Sequence, residues 1–235
     1  MNFKPQEFGL KKNNLYEILA TTFSKNGNIN PNTSCMGIRL IENNLIQISP
    51  YSNTKTFKNL EATGIITLNF VDNISLYALA ALKCPKASIQ FPKKYYNYTE
   101  IDNPFNENAF SSTILIPYVN KAWGILTCII ASETQIIKED LFGESEITEF
   151  KLHVIAAQKF KESYKLFNRA ENLALESIIL ATRLKIAKEN NDLSLINSIY
   201  SKITDNLDNI RRFGKNQNAI EVVDLILKYI KFLID

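Results

Sequence analysis

One histidine, His153, stands in a chain of 235 residues that also holds only three cysteines, two methionines and one tryptophan. A single imidazole rules out a His-rich metal site, and any Ser-His-Asp or Cys-His nucleophile would have to rest on His153 alone. That residue falls in an alternating run, Phe150, Leu152, Val154 and Ile155, and reads as a partly buried structural side chain of a strand. Cys35, Cys84 and Cys128 are odd in number and widely separated, which argues against a disulfide framework or a zinc site and predicts buried, reduced thiols. No metal ligand and no catalytic side chain is read from the sequence. Chemistry, where there is any, is expected to come from a cofactor.

An excess of one charge is lacking too. The 27 Lys+Arg and 24 Asp+Glu leave a net +3 with no long basic run, a poor match to nucleic acid. Long apolar runs are missing: Trp123 to Ala131 is far shorter than the ~20 residues of a membrane span, and Met1 to Glu7 lacks the apolar core of a signal peptide. A cytoplasmic protein with no nucleic-acid and no membrane partner is expected. With 46% hydrophobic residues, the chain suits one large domain or a domain with a substantial extension.

The first half reads as an antiparallel meander. Leu15 to Phe23 is a strand candidate, Asn26-Gly27 a hairpin dipeptide, and Ser34 to Ile41 alternates through Met36, Ile38 and Leu40. Asn43-Asn44 then turns the chain into Leu45 to Ile48. Asn53 or Thr54 is positioned to cap a short helix that Gly64 ends, followed by the β-prone run Ile65 to Val71. Asp72 or Asn73 caps a small helix over Ser75 to Leu82. Lys83 to Phe110, rich in Pro, Tyr and Asn, is expected as loops, with Tyr95-Tyr96-Asn97-Tyr98 as packed surface. Two strands follow, Trp123 to Ile137 and Ile147 to Phe160, with Gly143 in the turn between them.

Helical periodicity takes over in the last third. Asn168-Arg169-Ala170-Glu171 has the form of a capping box, opening a helix with Leu173, Ile178, Leu180, Leu184 and Ala187 on its apolar face. A second helix carries Ile196, Ile199, Ile203, Leu207 and Ile210 and ends near Gly214; Ala219 to Leu233 makes a third. Residues 1–165 are read as a β-rich barrel domain and 166–235 as a helical subdomain packed on it.

The densest chemistry lies between Asn28 and Asp72. Ser52, Thr54 and Thr56 hydroxyls, the Lys55 ammonium and the first amides of the helix suit a phosphate monoester. Backbone at Ser34 to Gly37 and Asn69 to Asp72 suits the slot and polar edge of a flat ring, and Asn59 suits either the phosphate or the shape of the loop. These features match a flavin mononucleotide (FMN) pocket.

The order strand, Asn-Gly hairpin, Asn-x-Ser-x-Met-Gly, Tyr-Ser-x-Thr-x-Thr-Phe-x-Asn-Leu loop and Leu-Asn-Phe-x-Asp strand end resembles the flavin-reductase-like FMN-binding split barrels. More narrowly it is similar to the archaeal DUF447 family, whose helical tail Phe167-Asn168-Arg169-Ala170, Leu175-Glu176-x-x-Ile179 and Ala181-Thr182-Arg183-Leu184 resemble. The resemblance implies a six-stranded split β-barrel, β-rich α+β, with a C-terminal helical extension and a homodimer holding FMN near its interface. It places Ser34, Met36 and Gly37 along the ring, and Tyr51, Ser52, Thr54, Lys55, Thr56 and Asn59 around the ribityl phosphate. Asn69 and Asp72 fall near the ring edge, and Arg169 reaches in from the tail. Members of the group often carry a basic residue near Ser49, so the phosphate here is expected to lean on Lys55 and FMN to be held more loosely.

Flavin-dependent oxidoreductase chemistry is the leading expectation, with a nicotinamide or other small electron donor docking transiently, since no Gly-x-Gly-x-x-Gly fingerprint is visible. A flavin- or deazaflavin-binding or sensor module without turnover is the alternative. A third reading makes the helical tail a partner-binding element.

Overall fold

In the computed structural model, which describes residues 3–24, 29–105, 113–140, 143–163, 169–213 and 217–234, strand β1 (Leu15–Ser24) runs antiparallel to β2 (Asn30–Glu42), and β2 to β3 (Leu45–Ile48). The Asn26-Gly27 turn lies outside the described residues. Helix α1 (Lys55–Thr63) and strand β4 (Ile65–Phe70) follow. The long pair β7 (Gly124–Asp140) and β8 (Gly143–Lys159) completes a closed barrel in the order β1-β2-β3-β8-β7-β4, with β4 pairing back onto β1.

The alternation read from the sequence decides which side chains fill the barrel. Ile18 and Ala20 of β1, Ile38 and Leu40 of β2, Ile46 and Ile48 of β3, and Ile66 and Leu68 of β4 meet Leu126, Cys128, Phe150 and Leu152 in one buried cluster. Burial pushes the Cys128 thiol well above its usual range, so it behaves as a small apolar side chain. His153 lies on β8 opposite Leu45 and Ile129 and is exposed, which corrects the expected partial burial: it alternates with the inward Leu152 and Val154.

Strand β4 is buried at all six positions, which is why it reads as a continuous apolar run. Its outward face is covered by a hairpin that the sequence reading missed. Tyr96–Asp102 (β5), expected as loop, pairs with Thr113–Val119 (β6), and Ile116 packs with Phe23 and Ile65 in a second buried cluster. Pro117 and the polar, half-exposed residues of β5 masked the signal. A two-stranded sheet has two open edges, so it tolerates a proline that a central strand would not. Gly143 opens β8 opposite Asp140.

The chain divides into two units. The barrel unit comprises Met1–Val71 and Pro92–Ser163; the helical unit comprises Asp72–Phe91 and Tyr164–Asp235. The sequence reading placed one boundary near residue 165, whereas the segment Asp72–Phe91 groups with the tail helices. The reason is composition: α2 (Ile74–Ala81) is apolar on nearly every side and is buried at Ile74, Leu76, Tyr77, Ala78 and Ala80, so it needs helices around it. Asn73 caps it, its Oδ1 accepting from Ser75 N (2.9 Å) and Ser75 Oγ (2.7 Å).

Three longer helices complete this unit, α3 (Arg169–Glu189), α4 (Leu193–Phe213) and α5 (Gln217–Ile234), with α3 and α5 packing on α2. Helix α3 buries a stripe of small residues, Ala170, Ala174, Ser177 and Ala181, that lets neighbouring backbones approach. Helix α4 buries Ile199, Ile203, Leu207 and Ile210, the period read from the sequence. Asn168 and Gly214, the predicted caps, lie outside the described residues. Among the described residues, no helix is long and apolar enough to cross a membrane.

Candidate functional site

The loop between β3 and α1 is anchored to β8 before it becomes a helix. Tyr51 bridges Ile147, Ser52 N donates to Glu146 O (3.2 Å), Ser52 Oγ donates to the same carbonyl (3.3 Å), and Thr148 N donates to Pro50 O (3.1 Å). The chain thus leaves β3 still hydrogen-bonded to the sheet edge, and then turns. Thr54 makes the turn: its hydroxyl donates to Tyr51 O (2.8 Å) and accepts from Phe57 N (3.2 Å), the bond of an N-cap.

Beyond that cap the helix presents positive charge. Lys55 is its first residue and Lys58 lies three residues on; both are exposed, and no acidic residue occupies the first turn. Among the described residues the amides of Lys55 and Thr56 have no acceptor, while those of Phe57 and Lys58 bond back to Thr54. Two lysines at a helix N-terminus oppose the helix dipole, an arrangement that becomes favourable when an anion sits there. Lys58 was missed in the sequence reading, although its i, i+3 spacing from Lys55 was visible.

Other predicted residues are engaged inside the protein. Thr56 is 3% exposed; its hydroxyl lies 2.8 Å from Ser34 Oγ and accepts from Asn32 Nδ2 (3.2 Å). Asn59 is 6% exposed and donates to Thr22 Oγ1 (3.2 Å). These bonds fasten α1 to β1 and β2, with Leu60 entering the barrel core. Met36 shares the inward face with Ser34 and packs on that core. Gly37 faces the other way, opposite Glu17; a Cβ there would stand 3.0 Å from Leu15 Cδ1 and 3.4 Å from Glu17 Oε1.

Asn69 is fully buried. Its amide nitrogen lies within hydrogen-bond reach of Leu19 O (2.8 Å), Thr21 Oγ1 (3.0 Å) and Thr67 O (3.0 Å), and its Oδ1 accepts from Val119 N (2.7 Å). The side chain therefore ties β1, β4 and β6 together. Asp72 is the first residue of the helical unit, and Arg169 opens α3 in that same unit.

A closed six-stranded antiparallel barrel whose third strand leads into a helix that opens with two lysines, accompanied by a helical unit, defines a β-rich split barrel with a helical extension. Residues 16–159 match the family model described as "Protein of unknown function (DUF447) N-terminal domain". The chain belongs to that family.

The fold is similar to that of an FMN-bound DUF447-family protein from Methanosarcina mazei, at 17% identity over 95% of this chain and 98% of that one, TM-score 0.67. More distant matches include a flavin reductase, HpaC, complexed with NADP+ (16% identity, 68% and 87% of the two chains, TM-score 0.42) and flavoredoxin from Methanosarcina acetivorans (14%, 66% and 76%, 0.41). No curated protein matches the sequence.

Proposed function

We propose that this protein binds FMN through the β3–α1 loop and serves as a flavin-dependent oxidoreductase. The observation that carries the reading is the opening of α1: two unpaired amides and the lysines Lys55 and Lys58 converge with no carboxylate in the first turn, which fits the double negative charge of a phosphate monoester. The fold shared with an FMN-bound member of the same family supports it. Thr54 and Ser52 shape the loop. Thr56, Ser34 and Asn59 hold the helix so that its amides point at the phosphate. Backbone at Ser34 to Gly37 would supply the edge of the ring's slot, with Met36 turned into the barrel and Gly37 turned out of it. Bound flavin supplies hydride transfer, and the donor we propose is a reduced nicotinamide that docks transiently.

We further propose a homodimer. Tyr51 of the loop bridges Ile147 of β8, which is in register with Ile136 of β7, and Tyr51 and Ile136 are exposed, so a row of apolar side chains beside the loop is available to a second copy. The test is a visible absorption spectrum of the purified protein before and after addition of FMN and removal of excess, with Lys55→Ala and the Lys55→Ala/Lys58→Ala pair. Retained flavin, weakened stepwise by the two variants, supports the site; no retained flavin overturns it. Retained flavin that reduced nicotinamides do not bleach would favour a binding module without turnover.

A further inference from the structure

A cavity of about 440 Å3 lies in the helical unit where the end of α3 turns into α4. It comes from a second stripe on α4. Leu193, Ile196, Asn197 and Tyr200 stand at i, i+3, i+4 and i+7, one helix face, distinct from the Ile199, Ile203, Leu207, Ile210 stripe that the bundle buries. Opposite, Leu184 and Lys188 stand one turn apart on α3, and Leu233 closes the side from α5. Leu184 is 3% exposed and forms the floor. Leu193 (73% exposed) and Tyr200 (45% exposed) form the rim, two large apolar side chains that the bundle leaves uncovered.

Lys188 is the one charged residue among those that line this cleft. It makes no ion pair among the described residues; of the acidic residues beside it, Glu189 pairs with Lys185 (3.7 Å), and Asp192 caps α4, its Oδ1 accepting from Leu195 N (2.9 Å). Asn191, which ends α3 in a left-handed conformation (φ 55°), and Asn197 add amide donors at the mouth. An apolar floor, an ammonium and amides at the rim, and a volume in the usual range of small-molecule pockets describe a site for an amphipathic anion. We propose that this cleft binds a medium-chain carboxylate, its alkyl chain over Leu184, Ile196 and Leu233 and its carboxylate on Lys188. The site is built by the helical unit alone and does not depend on flavin binding.

The test is a titration of the full chain with octanoate, following leucine and isoleucine methyl NMR signals, with 1-octanol as the uncharged comparison. Octanoate is expected to shift Leu184, Leu193, Ile196 and Leu233. Lys188→Gln, an exposed position that leaves the fold intact, should weaken octanoate on the order of fivefold while leaving octanol unchanged. Ile196→Trp should fill the cleft and abolish both. No shift of these methyls at millimolar octanoate, or equal affinity in Lys188→Gln, overturns the proposal. So do the same shifts appearing without octanoate as protein concentration rises, because a second copy of the chain would then be the occupant.

Discussion

The hydroxyl of Thr56 on α1 lies 2.8 Å from that of Ser34 on β2; Thr56 is buried and Ser34 partly so. This contact joins the two segments that sequence reasoning assigned to opposite ends of one cofactor, and it makes Thr56 a fastener. Thr56→Val should cost about 1–3 kcal/mol, because it removes both the contact with Ser34 and the oxygen to which the Asn32 amide donates. Urea denaturation measures the loss. Lys55→Ala, at an exposed position, should leave the midpoint essentially unchanged, which separates the two roles.

Asn69 satisfies partners on three strands, among them the Val119 amide. Asn69→Leu removes those bonds inside a dry wall and should destabilise the protein by about 3 kcal/mol or more. Hydrogen exchange at the Val119 amide should speed up by more than the global loss of stability predicts. Equal acceleration at all core amides would show that the β5–β6 hairpin does not depend on this side chain.

Gly64 ends α1 at φ 69°, and a Cβ there would stand 2.8 Å from Phe105 Cζ. Gly64→Ala should therefore lower stability by about 1–2 kcal/mol through backbone conformation alone. Since Phe105 is largely exposed and free to move aside, Gly64→Ala/Phe105→Ala should recover little of that loss. Thermal unfolding of the two variants provides the comparison.

Tyr229, 4% exposed, has its phenol pushed up from 10.0 to about 12 by burial, with Cys84 and Glu189 adding to the shift. Between those values the unfolded chain gives up the phenolic proton and the native state keeps it. The stability contributed by the buried neutral phenol is therefore complete below pH 10 and drains away as pH approaches 12, by about 2–3 kcal/mol in all. Tyr229→Phe should flatten that part of the stability curve, measured by denaturant midpoints from pH 9 to 12.

Local signals carried much of the fold. The turn at Asn43-Asn44, the cap at Thr54, the left-handed Gly64 and the stripe along α4 were each legible because neighbours in sequence set them. What stayed hidden depended on distant partners. β5 and β6 carry a proline and half-exposed polar residues, and only the barrel wall beneath them gives their apolar positions a place to go. Asp72–Phe91 belongs with helices that begin some 80 residues later. At the site, the hydroxyls of Ser34 and Thr56 were visible as residue types, but their mutual bond, which turns them inward, follows from how α1 docks. Lys58 was overlooked for a simpler reason: a single lysine already met the charge requirement.

The barrel closes on a short joint. β1 pairs with β2 at ten positions but with β4 only from Leu19↔Asn69 to Thr21↔Thr67, and the joined residues lie roughly fifty apart along the chain. Bringing them together is costly in chain entropy and is rewarded by few backbone bonds, so this joint should form later in folding than the β1–β2 pairing and open more readily in the native state. The Asn69 amide reaching Leu19 O and Thr21 Oγ1 sits across that joint. Losing it should let the wall part more often and admit solvent to the barrel faster.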